Sequence, residues 1–232
     1  MAKPYSLQIA IDVTDEAQAL KIASTVNSAC RSGALSCERL IVEAGTPLVK
    51  LFGLSILPKL KLSSPGTHLM ADLKIADVGR LEASLAFDFF ADSVSVLAMA
   101  PRSTIRSVLE VAMERSKSVV VDFIGVADLK ARADVVTSLV RNLSFPEDKL
   151  VFEFHRGIDE ERGRSAEEFF KDIVGVVEYI RGILPASKVA VAGGLTPQLA
   201  REVRALIDAD IYVVGRYITS NPSLERIIEF FD

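Results

Sequence analysis

The chain has 232 residues, half of them hydrophobic and a quarter charged, which is the make-up of a folded globular protein and not of a disordered one. Its 27 Lys and Arg against 31 Asp and Glu leave a net charge of −4, which argues against nonspecific nucleic-acid or anionic-membrane binding. No uncharged apolar run approaches the roughly 18 residues that cross a bilayer. The stretch Met1-Ala2-Lys3-Pro4-Tyr5 has no signal-peptide pattern, so the expectation is a cytoplasmic protein without a membrane partner.

Short β-branched apolar runs recur along the chain, each followed by a helical pattern. They predict strands at Leu7–Asp12, Arg39–Glu43, Leu69–Lys74, Ser93–Leu97, Ser118–Phe123, Leu150–His155, Lys188–Ala192 and Ile211–Val214. Helical stripes occupy Glu16–Ala29, Arg80–Phe89, Ser103–Arg115, Ala166–Ile183 and Pro197–Ile207. Cys30–Glu38 has a loose register, and Leu57–Thr67 reads as loop with a partial helix. Dividing 232 residues over eight units gives 29 residues each, close to the about 30 of a crossover unit. The strands are nearly continuous apolar runs, as strands buried on both faces are. The expectation is therefore a single (β/α)8 TIM barrel spanning residues 1–232, with no linker.

Cys30 and Cys37 are too few for a disulfide framework and form no metal-ligand cluster, so they read as reduced thiols in a helix and its following loop. With only His68 and His155, a His-rich zinc site is not expected, whereas an oxygen-ligated metal stays open.

Reactive groups in such a barrel sit where the strands end. Strand one ends in Asp12, strand two in Glu43, strand three in Asp72-Leu73-Lys74 with Asp77 beyond, strand five near Asp122 and strand six in His155. Strand four offers nothing reactive. Asp72 and Lys74 are two apart and share a face. They form either a buried ion pair or a fixed cation set for a developing oxyanion. Glu43 and Asp72 end neighbouring strands and repel unless a cation lies between them. Either Mg²⁺ (or Mn²⁺) sits there with water and substrate oxygens, or Glu43 pairs with Lys74. His155 is a structural imidazole or a general acid–base, since the side chain's reference pKa lies near neutrality. Asp12 either serves the site or orders the turn before Thr14, which looks like a helix N-cap. Asp122 has the same two readings.

The last two units form a candidate phosphate cradle. Gly193-Gly194 lets backbone approach an anion, Thr196 and Pro197 start a helix, and Gly215-Arg216 adds a glycine turn with a bidentate cation.

Asp72-Leu73-Lys74-Ile75-Ala76-Asp77 matches the D-x-K-x-x-D signature of the orotidine 5′-monophosphate decarboxylase superfamily. Glu43-Ala44-Gly45-Thr46-Pro47-Leu48 and His155-Arg156-Gly157-Ile158-Asp159 are similar to segments of its 3-hexulose-6-phosphate synthase branch. Val191-Ala192-Gly193-Gly194 and Val214-Gly215-Arg216 resemble the superfamily's phosphate loops. The likeness runs from Leu7 to Pro222.

That resemblance implies a homodimer of barrels with shared sites, in which Asp77 reaches into the partner's site. It implies Mg²⁺ held partly by Glu43 and Asp72, and a reversible condensation of formaldehyde with ribulose 5-phosphate through an enediolate. Lys74, His155, Asp77 and Asp12 would be the catalytic set, with Gly193, Gly194, Gly215 and Arg216 on the phosphate. An orotidine 5′-monophosphate decarboxylase would carry Lys in place of Glu43 and no metal. A 3-keto-L-gulonate-6-phosphate decarboxylase resembles H-R-x-R-D, where this chain has Ile158 at the second Arg. The synthase branch often has a small residue at 156 and Gly at 216, and this chain has Arg at both. A non-catalytic barrel that binds a sugar phosphate is the alternative from another class. An associated partner enzyme and the direction of the reaction are not legible in the residues.

Overall fold

The computed structural model describes residues 4–159, 163 and 165–231. Met1–Lys3, part of the N-terminal stretch considered above, lie outside them. The strands are β1 (Ser6–Ile11), β2 (Leu40–Ala44), β3 (His68–Ile75), β4 (Ser93–Leu97), β5 (Ser118–Asp122), β6 (Leu150–His155), β7 (Lys188–Ala192) and β8 (Ile211–Val214). All neighbours pair in parallel, and β8 returns to β1, so the sheet closes in sequence order. This is the expected (β/α)8 barrel. Closure removes the free edges that an open parallel sheet would expose.

The helices are α1 (Glu16–Arg31), α2 (Thr46–Phe52), α3 (Ile56–Ser63), α4 (Gly79–Asp88), α5 (Arg102–Glu114), α6 (Leu129–Leu143), α7 (Ala166–Asp172), α8 (Val174–Ile183), α9 (Pro197–Ile207), α10 (Arg216–Thr219) and α11 (Leu224–Ile228). Their apolar stripes pack on the outside of the barrel. Ala19, Ile22, Ala23 and Val26 on α1, and Ile105, Val108, Leu109 and Ala112 on α5, are buried at helical spacing. A second, smaller apolar cluster fills the barrel itself: Ala10, Ile41, Met70, Val120, Val151, Ala190, Ala192, Ile211 and Val213. The barrel is thus packed, and its chemistry sits above that plug.

The structure corrects several local expectations. The N-cap of α1 is Asp15, whose carboxylate accepts from the Gln18 N–H at 2.7 Å, and not Thr14. Residues 166–183 form two helices that break at Ile173. Leu57–Thr67 holds most of α3, a helix of its own after Gly53 (φ +64) ends α2. Cys30 and Cys37 are joined as a disulfide with Cα atoms 4.9 Å apart, where reduced thiols were expected. The chain turns back after α1 through Gly33 (φ +73), and the Leu35 N–H donates to the Ala29 carbonyl, which brings Cys37 to the helix end.

Candidate active site

A cavity of about 730 Å³ opens at the C-terminal ends of the strands. Asp12, Glu43, Asp72, Lys74, His155, Gly193, Gly194, Gly215 and Arg216 all line it. Nine of the ten residues singled out from the sequence therefore converge.

Lys74 is the centre of the arrangement. Its ammonium lies 2.8 Å from Asp72 Oδ2 and 2.9 Å from Asp122 Oδ2. Burial works against the charge, but Asp72, Asp122 and Glu153 outweigh it, and the Lys74 pKa is raised. The backbone bends to achieve this. Lys74 has φ +47, and the β3–β4 register shifts between Ala71 and Ile75. A left-handed non-glycine residue costs of order 1–3 kcal/mol and persists only where its surroundings hold it. Ser95 on β4 provides that hold: its hydroxyl accepts from the Lys74 N–H at 2.8 Å and donates to Asp72 Oδ1 at 2.7 Å. Strand four, read as offering nothing reactive, thus supplies the hydroxyl that fixes the central pair. Thr46 at the start of α2 donates to Asp72 Oδ2 at 2.6 Å.

Glu43 is buried and does not pair with Lys74; Gln8 Nε2 donates to its Oε2 at 2.7 Å. Burial, then Asp72 and Asp12, push the Glu43 carboxyl well above the usual carboxylate range. Burial and Asp72 also raise Asp12. Asp12 does not cap α1; it packs on Gly45, where an added Cβ would lie 2.1 Å from its Oδ1. Asp122 accepts from the Ile124 N–H at 2.8 Å as well as from Lys74. Although burial opposes it, His155 and Lys74 lower the Asp122 pKa, so it is held as a carboxylate.

His155 Nδ1 lies 3.6 Å from Asp122 Oδ2 and 3.7 Å from Glu153 Oε1. Glu153 was not singled out from the sequence. It is 5% exposed and lines the cavity, and burial, then Asp122 and Glu43, push its pKa well up. Its signal was present: one acid inside the apolar run LVFEFH, two residues before His155 and so on the same face. The other histidine, His68, sits at the opposite end of β3 with Nε2 2.8 Å from Ser93 Oγ. Burial lowers it to about 4, so it stays neutral and structural.

On the far wall, Gly193 has φ +124 and abuts Arg156, and an added Cβ would lie 2.7 Å from Arg156 Cβ and from its carbonyl oxygen. Arg156 is buried behind this loop, and its N–H donates to the Ala192 carbonyl at 3.0 Å. Thr196 caps α9 through the Leu199 N–H at 3.2 Å, and Pro197 follows at the first helical position. Arg216 opens α10 directly after Gly215. Tyr217, Ser220 and Arg226, also missed, complete that wall.

Asp77 is the exception. It is exposed and lies outside this cavity, in a shallower depression with Val78, Gly79, Arg80 and Thr104. Beside it Val78, Leu81 and Leu85 expose large apolar side chains at helical spacing.

Comparison with known proteins matches the geometry. The family model for "Orotidine 5'-phosphate decarboxylase / HUMPS family" matches residues 5–229. A protein named bifunctional enzyme Fae/Hps from Methanosphaerula palustris is 33% identical over 98% of this chain and 52% of its own length. The chain thus spans about half the length of the curated relatives it matches. A crystal structure of a 3-hexulose-6-phosphate synthase is similar at 31% identity, with a TM-score of 0.78 and 97% of each chain covered. The 3-hexulose-6-phosphate synthase from Salmonella typhimurium is similar at 28% identity, with a TM-score of 0.80 over 97% of this chain and 96% of that one. A family match over nearly the whole barrel, with Asp72 and Lys74 of the D-x-K-x-x-D segment in its mouth, makes this chain a member of the orotidine 5′-phosphate decarboxylase / HUMPS family.

Proposed function

We propose that the chain is a 3-hexulose-6-phosphate synthase-like lyase, joining formaldehyde to ribulose 5-phosphate reversibly through an enediolate. The observation that carries this reading is the charge layout of the cavity. Lys74 is locked between Asp72 and Asp122, further acids surround it, and a glycine-lined wall with Arg216 faces them. The likeness to Fae/Hps proteins and to synthase structures supports the same reaction class.

Removing a proton next to a carbonyl and then forming a carbon–carbon bond needs a base, a stabiliser for the enediolate oxygens and a held phosphate. His155 is the group placed to take and return the proton. Lys74 cannot act as a base, because its ammonium is pinned by carboxylates; it supplies fixed positive charge where oxygen charge develops. Gly193, Gly194, Gly215 and Arg216 hold the phosphate by backbone approach and a guanidinium.

The acids also fit a divalent cation. Asp12, Glu43 and Asp72 crowd together, and Asp12 and Glu43 are pushed up by burial and then by their neighbours' charge. Such surplus negative charge on hard oxygen donors suits Mg²⁺ or Mn²⁺. Glu43 and Asp72 would hold the ion, with Asp12 beside them. When bound, it adds Lewis-acid stabilisation of oxygen charge.

We further propose a homodimer in which Asp77 acts in the partner's cavity. Its exposure outside its own cavity and the apolar strip of Val78, Leu81 and Leu85 next to it support this.

The test is a formaldehyde-consumption assay with ribulose 5-phosphate, run with Mg²⁺ and with excess chelator, beside an orotidine 5′-monophosphate decarboxylation control. Mg²⁺-dependent consumption is expected. Decarboxylation that persists in chelator, without formaldehyde consumption, would overturn the reading.

A further inference from the structure

We infer that Glu153 is the positioning residue of His155: its carboxyl takes the Nδ1–H of the imidazole and leaves Nε2 to the cavity. Both residues point into the barrel from β6, two positions apart. Glu153 Oε1 lies 3.7 Å from Nδ1, and both Glu153 Oε2 and His155 Nδ1 are buried without a hydrogen-bond partner. A buried polar atom left without a partner is costly, and one such atom on each of two neighbouring side chains calls for an explanation. A shift of under about 1 Å brings the pair into hydrogen-bond range. Catalytic contacts are often long before substrate binds and tighten in the complex.

Asp122 is slightly closer, at 3.6 Å, but it already accepts two hydrogen bonds. Its Oδ2 accepts from Lys74 and its Oδ1 from the Ile124 N–H. What Asp122 contributes is a fixed negative field, which favours a hydrogen and not a lone pair on the facing nitrogen. Glu153, with a buried carboxyl oxygen that no hydrogen bond reaches, is the group assigned that hydrogen. Asp122, Glu153 and His155 also lie close enough to ligate a metal ion. Asp122 there already carries the Lys74 ammonium, so Glu153 is the carboxylate of the three with no cation on it. The other charged groups facing the pair are Asp72 and Lys74 on β3, Glu43 on β2 and Asp12 after β1.

This assignment rests on the reading of His155 as the proton carrier, but its test does not need turnover. The chain has two histidines, so nitrogen-15 spectra of the labelled protein resolve each ring, with His68 assigned by a His68→Asn variant. At the alkaline plateau, where the ring is neutral, wild-type His155 should be in the Nδ1–H form. Glu153→Leu, or Glu153→Met as a second apolar variant, should move it towards Nε2–H. Glu153→Gln should keep Nδ1–H, because the carboxamide oxygen still accepts. Replacing an unpaired buried carboxyl by a hydrophobe of similar size is commonly tolerated, so these variants should fold. In the formaldehyde assay the apolar variants should lose about tenfold or more in kcat, within the range that one acid–base group supplies. A wild-type ring in the Nε2–H form, or a tautomer unchanged in both apolar variants, overturns the assignment while leaving the proposed reaction standing. Absence of formaldehyde consumption refutes that reaction and leaves the tautomer result intact.

Discussion

Lys74→Met tests the charge logic of the site without reference to any substrate. Methionine keeps an unbranched stem, one atom shorter, and removes the ammonium. What remains is Asp72 and Asp122, with side chains 8% and 1% exposed, and no counter-charge between them. Breaking a buried pair by removing one partner costs about 3–5 kcal/mol. The Lys74 side chain is 23% exposed, so water screens part of the interaction and about 3 kcal/mol is the expectation. For a chain of this size that is a Tm drop of about 6–12 °C. The pH dependence gives the sharper readout. In the wild type, Asp122 sits below its unfolded value, so its contribution is present above about pH 4 and fades as pH falls through the folded pKa. Lys74 sits above its unfolded value, so its contribution is complete below about pH 10. In the variant, Asp122 loses the Lys74 cation while its burial stays, so its folded pKa rises. The folded variant then gains protons on acidification before the folded wild type does. Its deficit against wild type should therefore be largest near pH 7 and shrink towards about pH 5. Urea denaturation at the two pH values measures this. Equal stability of the two proteins near pH 7, or a deficit that grows on acidification, refutes the view that Lys74 neutralises the two acids.

Three other perturbations address the proposed chemistry. His155→Ala should lose about 10²–10⁴-fold in kcat and stop exchange of the substrate's α-proton with deuterated water; exchange at the wild-type rate would show that another group is the base. Arg216→Ala should mainly raise KM for a phosphorylated pentulose, and equal turnover of the unphosphorylated sugar by the wild type would remove the phosphate role. Mixing inactive Lys74→Ala and inactive Asp77→Asn subunits should restore part of the activity after verified exchange, because one of the two cavities in the mixed dimer is then intact. A mixture as inactive as its parents would be evidence against a shared site.

The barrel was legible because each strand is a short apolar run with an obvious end. Ser93–Leu97, Leu150–His155, Lys188–Ala192 and Ile211–Val214 lie where the sequence puts them. Most of the longer helices were legible by their stripe, although α6, at 15 residues, was not among those named. α2 and α3 are short and Gly53 separates them, so Leu57–Thr67 read as loop with a partial helix and α2 was not assigned. The disulfide was missed because seven residues of separation say nothing about whether a loop doubles back. In the site, the charged residues were found because acids at strand ends are conspicuous. Their supports were not. Ser95, Thr46 and Gln8 are small or neutral and ordinary in composition, and only the fold shows that they hold Asp72 and Glu43. Glu153 was visible by alternation, but attention to strand ends passed over a residue two positions earlier.

That alternation also accounts for how one set of strands builds both the core and the site. Ala10, Ile41, Met70, Val120 and Val151 belong to the apolar plug inside the barrel. Two residues further along the same strands, on the same face, come Asp12, Glu43, Asp72, Asp122 and Glu153. Packing below and charge above are thus successive tiers of one pattern. The pattern changes on β7 and β8, where Ala190 is followed by Ala192, and Val213 by Gly215. There the upper tier is small, and Gly193, Gly194 and Arg216 stand in place of acids. The cavity therefore has an acidic side, neutralised in part by Lys74, and a side open to anions. At an effective dielectric constant of about 20, like charges about 4 Å apart repel by about 4 kcal/mol. For the proposed reaction, a phosphate dianion would thereby be kept off the acidic side and directed to the loops after β7 and β8. That placement would leave the carbonyl end of a phosphorylated sugar against Lys74 and His155. On this proposal the charge asymmetry orients the substrate before any base or metal acts on it.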